Sequence, residues 1–267
     1  MNQFEMILQN TLPDDIALNI ASFLQVLELC SLGSCSKFWR ELCSTDYLWV
    51  SLSKDRWPAL GISSESPIPL ILNNSNTGSS SLSSNENIQV QNSSAKGWRR
   101  FYINKHGDMA SRASNIIKFV EEGTSPSKFL EIGDFVKAVQ DLSLMDFGFK
   151  DVVMFFFSSK QNVLVNLAGL HYCIFWLNVS AEDAIAALRN CGIQERELCV
   201  SCWKLGRWFY GFRMRDESNI RRVSLGDLAL AKENEVLGVL YRGAIHEVLR
   251  VQISIPPPAC ITSLHAQ

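Results

Sequence analysis

Residues 12 to 57 read LPDDIALNIASFLQVLELCSLGSCSKFWRELCSTDYLWVSLSKDRW, a stretch with helical periodicity and more apolar surface than its length can hide. Pro13 suits an initial helical turn, where its missing N–H has no partner to lose and its φ is preset. Asp14 and Asp15 set negative charge against the positive end of the helix dipole. Ile16, Ile20, Phe23, Leu24 and Leu27 then follow at spacings of four, three, one and three, an apolar stripe. Leu27, Leu29 and Leu32 supply a second short helix that Gly33 can end. A third starts near Ser36 with Phe38, Trp39 and Leu42, and Leu48, Trp49 and Leu52 add a further apolar turn. Chains below ~40 residues usually need outside help to fold. Either the rest of the chain covers these side chains or a second protein does.

The order of residues is specific. Leu12-Pro13-Asp14-Asp15-Ile16 is followed by Ile20, Phe23-Leu24, Leu27, Leu29 and Leu32, then by Cys35-Ser36-Lys37-Phe38-Trp39-Arg40, Leu42 and Asp46-Tyr47-Leu48-Trp49. This pattern resembles an F-box, which opens on Leu-Pro and an acidic residue, repeats Ile/Leu through a helix, and later carries Cys-Lys-x-Trp and a final Leu-Trp. Here one serine separates the Cys from the Lys. The resemblance covers roughly a sixth of the chain, and it implies docking on the Skp adaptor of an SCF-type ubiquitin ligase and, through it, on a cullin. By position, Leu12, Pro13, Ile16, Ile20, Leu24 and Leu27 are the implied adaptor-facing residues, whereas Trp39 and Trp49 are expected to order the helices. Burying about six large apolar side chains yields roughly 9–18 kcal/mol gross at about 1.5–3 each. Association costs an estimated ~4–15 kcal/mol, so stable docking rests on a few central residues.

Composition sets the remaining bounds. At 267 residues the chain has room for one small module and one domain of ordinary size. A hydrophobic content of 47% and a net charge of −2 describe a globular chain with no global attraction for nucleic acid. Residues 1–15 lack a positive stretch followed by an apolar run and read as no signal peptide. The eight cysteines lie scattered among apolar residues and read as reduced thiols in cytoplasm or nucleus. From Val152 to Leu177 the chain is rich in Phe, Val and Leu. Its longest apolar part falls short of the ~20 residues a membrane span needs, so the expectation is a buried core segment.

The domain reading is an F-box adaptor-binding module over 1–60, a Ser/Asn-rich flexible insert over 61–97, a target-binding domain over 98–255 and a loose tail over 256–267. The insert, with SSSLSSNEN at its centre, holds too little apolar surface to offset its ordering entropy. Ala113, Ile116, Ile117 and Val120 suit a helix ending near Gly123, and Phe129 to Phe149 has helix-like spacing through Ile132, Val136 and Val139. Ser180 reads as the N-cap of a helix over 181–191, with Gly192 at its C-terminal stop. After it the period changes to two. Cys199 to Leu205 and Trp208 to Met214 read as strands about Gly206-Arg207, Ile220 to Leu225 as a third, and Val236 to Arg242 with Ile245 to Ile255 as a hairpin about Gly243. Leu249, Val251 and Ile253 are expected to face inward. The fold class is α+β: a three-helix F-box, then helices followed by an antiparallel sheet.

Catalytic chemistry finds little support. Cys199-x-x-Cys202 is a Cys pair at metal-like spacing, but alternation puts the two on opposite strand faces and no second such pair completes four ligands. His106, His171, His246 and His265 sit in unrelated settings, with His171 reading as a hydrogen-bonded core residue, and no phosphate-binding glycine loop is present. The reading is a non-catalytic receptor subunit without cofactor or metal, and without membrane association. A basic and aromatic constellation runs from Arg196 to Arg222. Within it Arg213 and Arg215 are expected on one strand face, with Trp208, Tyr210 and Phe212 on the other, and Arg207 nearby at the turn. Arginines suit bidentate capture of carboxylate or phosphate, so an acidic or phosphorylated segment of an unknown target protein fits there. The alternatives are a solvated outer sheet face and a site for single-stranded nucleic acid.

Overall fold

A computed structural model describes residues 12–58, 97–125, 128–232, 234–243 and 248–256. The Ser/Asn-rich insert and the tail beyond Pro256 lie outside the described residues. The chain divides into two compact units, Met1–Gly107 and Asp108–Gln267.

The first unit holds α1 (Asp14–Ser22), α2 (Val26–Cys35), α3 (Lys37–Leu42), α4 (Asp46–Arg56) and the opening of α5 (Gly97–Thr124). Pro13 sits at the N-cap of α1, and its carbonyl accepts from the N–H groups of Ile16 and Ala17. The first helix stops at Ser22, so Leu27 belongs to α2 rather than to the stripe of α1. Glu28 starts α2 by accepting from the Gln25 N–H at 2.9 Å. The helix runs through Gly33 instead of ending there. Extended backbone at Ser36 stops it, and the Ser36 hydroxyl caps α3 by accepting from the Trp39 N–H. Leu48, Trp49 and Leu52 belong to a full fourth helix, not to one extra turn. Its core anchor is Trp49, buried, with Nε1 donating to the Cys43 carbonyl at 2.8 Å.

In the second unit β1 (Phe129–Glu131), α6 (Ile132–Ser143), α7 (Phe149–Phe156), α8 (Val163–Phe175) and α9 (Ala181–Asn190) precede most of the sheet. Next come β2 (Glu197–Lys204), β3 (Trp208–Phe209), β4 (Phe212–Arg213), β5 (Glu217–Ser224), α10 (Leu225–Ala229), α11 (Asn234–Arg242) and β6 (Val248–Ser254). Four strands form an antiparallel sheet in the order β1-β6-β2-β5. Leu130, Leu198, Val200, Val223, Val251 and Ile253 are all buried, which is the period-two face that covers the helices. The other face carries the ion pairs Glu131–Arg250 and Glu197–Arg222.

Several elements differ from expectation. Residues 129–131 form a strand, because Leu130 pairs with Ile253 across the ladder, and the helix begins only at Ile132. Residues 236–242 form α11 rather than a strand: Val236, Leu237 and Leu240 are buried at helical spacing, and Gly243 ends the helix at φ +74°. A short apolar run has no periodicity of its own that separates the two. Val251 and Ile253 face inward as expected, whereas the Leu249 side chain lies outside the described residues.

The axis of this unit is α8, in which every residue from Val163 to Cys173 is buried. Such a helix needs neighbours on all sides. At Gly169 a Cβ would lie 2.7 Å from the Phe156 Cβ, so only glycine lets α7 approach this closely. No described helix is long and apolar enough to cross a membrane. The loop between α7 and α8 is stitched from within. Arg196 donates to the Ser158 carbonyl, to the Gln161 carbonyl at 2.8 Å and to the Asn166 side-chain oxygen. Asn166 donates in turn to the Phe156 carbonyl at 2.6 Å. Arg196 therefore leaves the cationic surface to which its position in sequence assigns it. Burial pulls its pKa down, while its Nη1 is shared among these three acceptors. Hydrogen bonds to charged groups contribute roughly 1.5–3 kcal/mol, so Arg196→Met is expected to destabilise the chain by about 2–4 kcal/mol. Denaturant unfolding measures this, with the exposed Arg215→Met as a control expected to change little.

Candidate functional site

In α1 the buried side chains are Ala17 and Ala21, with Ala17 at 0% exposure, while Ile16 and Ile20 lie about half exposed on the other side. Phe23 at 79% and Leu27 at 82% continue the exposed surface past the end of the helix. A free-standing bundle gains more by burying isoleucine than alanine, since each extra CH₂ buried contributes roughly 0.8 kcal/mol. The arrangement here is the reverse. Of the six expected adaptor-facing residues, Ile16, Ile20 and Leu27 are exposed with Pro13, whereas Leu12 and Leu24 are half-buried. Phe23 stands in the same apolar stripe but is not one of those six; its position three residues after Ile20 is the signal that finds it. Trp49 orders the helices from inside, and Trp39 is half-buried, edge-on to Phe38 at 5.3 Å.

The same unit holds an aromatic core in which the opening of α5 takes part. Trp57, Trp98 and Tyr102 are buried, and Tyr102 lies 5.4 Å from Trp49 and 5.0 Å from Trp57 between ring centroids. Arg56 donates to the Tyr102 hydroxyl at 2.8 Å and stacks over Trp57 at 4.8 Å. Its Nη1 lies 3.1 Å from His106 Nδ1. Asp46 accepts from the Trp98 N–H at 3.1 Å and so holds the start of α5. These contacts join α4 to the opening of α5.

The basic and aromatic constellation takes a different form from the expected strand. Tyr210 and Gly211 both have positive φ, +47° and +83°, and reverse the chain between β3 and β4. Trp208 pairs with Arg213 and Phe209 with Phe212 across a two-residue ladder. Trp208, Tyr210 and Phe212 therefore do not share one face, and Arg215 lies beyond β4, outside any strand. Arg213 is engaged with Asp216 at 2.9 Å. Asp216 also accepts from the Gly206 N–H, and these two contacts, the backbone one foremost, hold its carboxyl below the ordinary range. Arg221 pairs with Glu235 at 2.7 Å and Arg222 with Glu197. The Arg207 carbonyl accepts from the Met214 N–H at 2.9 Å.

The groups capable of chemistry are dispersed. Among the described residues no three His, Cys, Asp or Glu side chains gather closely enough to hold a metal ion. Cys199 and Cys202 stand three positions apart on β2, opposite Arg222 and Asn219 in the β5 ladder. Burial raises both thiols and drives Cys173 to about 12, so these sulfurs stay protonated and weakly nucleophilic at neutral pH. His171 is a buried core residue as expected, with the Leu240 backbone as the polar group acting on its ring. Its ring lies 5.5 Å from Phe135 and 4.6 Å from Phe175.

A family model described as F-box-like matches residues 9–55. The chain carries an F-box-like domain over these residues. The domain implies a Skp-type partner and indicates a Skp-binding adaptor role, and F-box proteins are generally non-catalytic adaptors. No curated protein and no solved structure matches the chain.

Desolvation lowers the pKa of His171 from 6.5 to about 4, with the Leu240 backbone pulling the other way. The unfolded imidazole takes up its proton near pH 6.5 and the folded one only near 4, so the unfolded state binds more protons between these values. Stability is then full above pH 6.5 and falls as the pH drops toward 4. His171→Phe is expected to flatten this acid limb, removing a loss on the order of 3 kcal/mol. Urea unfolding of both proteins at about pH 7 and about pH 4.5 measures it.

Proposed function

We propose that the chain is the substrate-recognition subunit of an SCF-type ubiquitin ligase. Leu12, Pro13, Ile16, Ile20, Leu24 and Leu27 meet the Skp adaptor, which joins the chain to a cullin. The C-terminal unit holds a target protein, with Arg207, Arg213 and Arg215 at the contact. The F-box-like domain supports the first part. The observation that carries the reading is the reversed burial of α1, alanines inside and isoleucines outside, because large apolar side chains left in water gain energy only when a second surface covers them. The chain acts by proximity. Holding a target beside the conjugating enzyme raises its effective concentration, and no side chain here needs to take part in the transfer. Such a subunit works in the cytoplasm or nucleus, where the conjugation machinery and reduced thiols occur together.

Exposed side chains can be changed without disturbing the fold. Ile20→Glu combined with Leu27→Glu is expected to weaken adaptor binding at least ~100-fold, about 2.7 kcal/mol, while thermal unfolding stays within a few degrees of wild type. Co-purification with a Skp adaptor and titration calorimetry read the outcome. Binding that survives the double substitution removes the adaptor reading.

A further inference from the structure

From Lys204 to Arg222 every described residue except Gly206 is exposed, so the ends of β2 and β5, together with the β3–β4 hairpin, form an arm without a core of its own. At its tip Trp208 is 72% and Tyr210 91% exposed, and Phe209, Phe212 and Met214 are also open. Five large apolar side chains together in water on one hairpin exceed the single exposed residues that any surface carries. The arm is built to hold its shape. A Cβ on Gly206 would lie 1.9 Å from the Met214 carbonyl oxygen, Met214 N–H donates to the Arg207 carbonyl at 2.9 Å, and Asp216 ties Gly206 to Arg213. The aromatic cluster is thus presented on a defined turn.

Two further observations identify what the arm fits. Among the described residues β5 ends the sheet, pairing with β2 alone. Beyond that ladder Ser218, Asn219 and Ile220 make no hydrogen bond among the described residues, and Ile220 is exposed. An open strand of this length offers alternate N–H and C=O groups to an added strand. The arm also carries six basic residues, Lys204, Arg207, Arg213, Arg215, Arg221 and Arg222, against Asp216 and Glu217, on a chain whose net charge is −2. Three of these arginines are matched by carboxylates, whereas Lys204 and Arg215 have no ion pair among the described residues. A second copy of the same arm would bring like charges together.

We infer that the arm is the target-binding surface, and that it takes an extended segment of a target protein in which Asp or Glu alternates with large apolar residues. The segment adds as a strand along β5, places carboxylates beside Lys204 and Arg215, and covers Ile220 and the aromatic tip with its apolar side chains. This rests on the receptor reading for its biological setting, but peptide capture is measurable without it. Nucleic acid and lipid surfaces share the attraction to aromatic and basic groups, yet neither supplies a strand to the open edge, which is why a peptide is the better fit.

The test uses the full chain, alone and with a Skp adaptor, to select from a random library of short unphosphorylated peptides. Selected sequences are expected to alternate acidic with apolar residues. A synthetic peptide of the selected sequence should bind at least ~10-fold more weakly to Trp208→Ser/Tyr210→Ser and to Lys204→Glu/Arg215→Glu. N-methylation of its alternate backbone nitrogens should weaken it similarly. The charge-reversed variant should instead select basic peptides. All four side chains are solvent-exposed, and unchanged thermal unfolding verifies that the variants fold. Selection without acidic bias, undiminished binding by either variant, binding only after serine phosphorylation, or preferential retention of single-stranded RNA or anionic vesicles overturns the inference. Adaptor co-purification runs in parallel. A wild-type chain that captures acidic peptides but no adaptor refutes the receptor reading and leaves the arm assignment standing, and the converse result refutes the arm alone.

Discussion

The first unit depends on a clamp of aromatic rings around one buried guanidinium. Arg56 lies between Trp57 and Tyr102, donates to the Tyr102 hydroxyl, and meets His106. Trp49 joins the same cluster from α4 while its indole N–H satisfies the Cys43 carbonyl. Rings of this size bury roughly 150–250 Å² each, enough to stabilise helices whose other apolar side chains are turned outward. The module thus holds a buried aromatic cluster while Ile16 and Ile20 of α1 stay in water.

Tyr102 and Trp98 come from α5, well after α4 in the sequence and beyond the residues that the F-box-like model matches. The folded module is therefore larger than its family signature. Asp46 shows how the two pieces are tied: one carboxylate in the first turn of α4 accepts from the Trp98 N–H at the start of α5. The long helix then continues into the second unit, with the boundary at Gly107 and Asp108.

The second unit solves a different problem with the same physics. Its centre is α8, apolar all round, and the cost of polar groups near that centre is offset by pairing. Arg196, Asn166 and the carbonyls of the α7–α8 loop form one connected set. His171 is an imidazole held among Phe135, Phe175 and Tyr241, where burial lowers its pKa to about 4. The arm stands apart from this core. It places aromatic residues in water on a glycine-shaped turn, so each unit carries one apolar surface that its own interior does not use.

Much was legible in the residue order. The F-box pattern, the helix capped by Ser180, the burial of 163–173 within the apolar run and the α+β class all followed from local signals, because caps, spacing and charge act within a turn or two. Short apolar runs were not legible. Val236 to Arg242 became helix and Phe129 to Glu131 became strand because their neighbours in space, not their own periodicity, decided which backbone pairing was available. Sequence also placed Arg196, Arg213 and Arg215 in one basic group. Only the tertiary structure sent the first inside to hold a loop, matched the second to Asp216 and left the third on the arm with no ion pair among the described residues. What the chain determined by itself was which side chains are apolar and where helices begin. Which of those side chains stay in water was decided by packing, since the module buries Ala17 and Ala21 of α1 and leaves Ile16 and Ile20 outside.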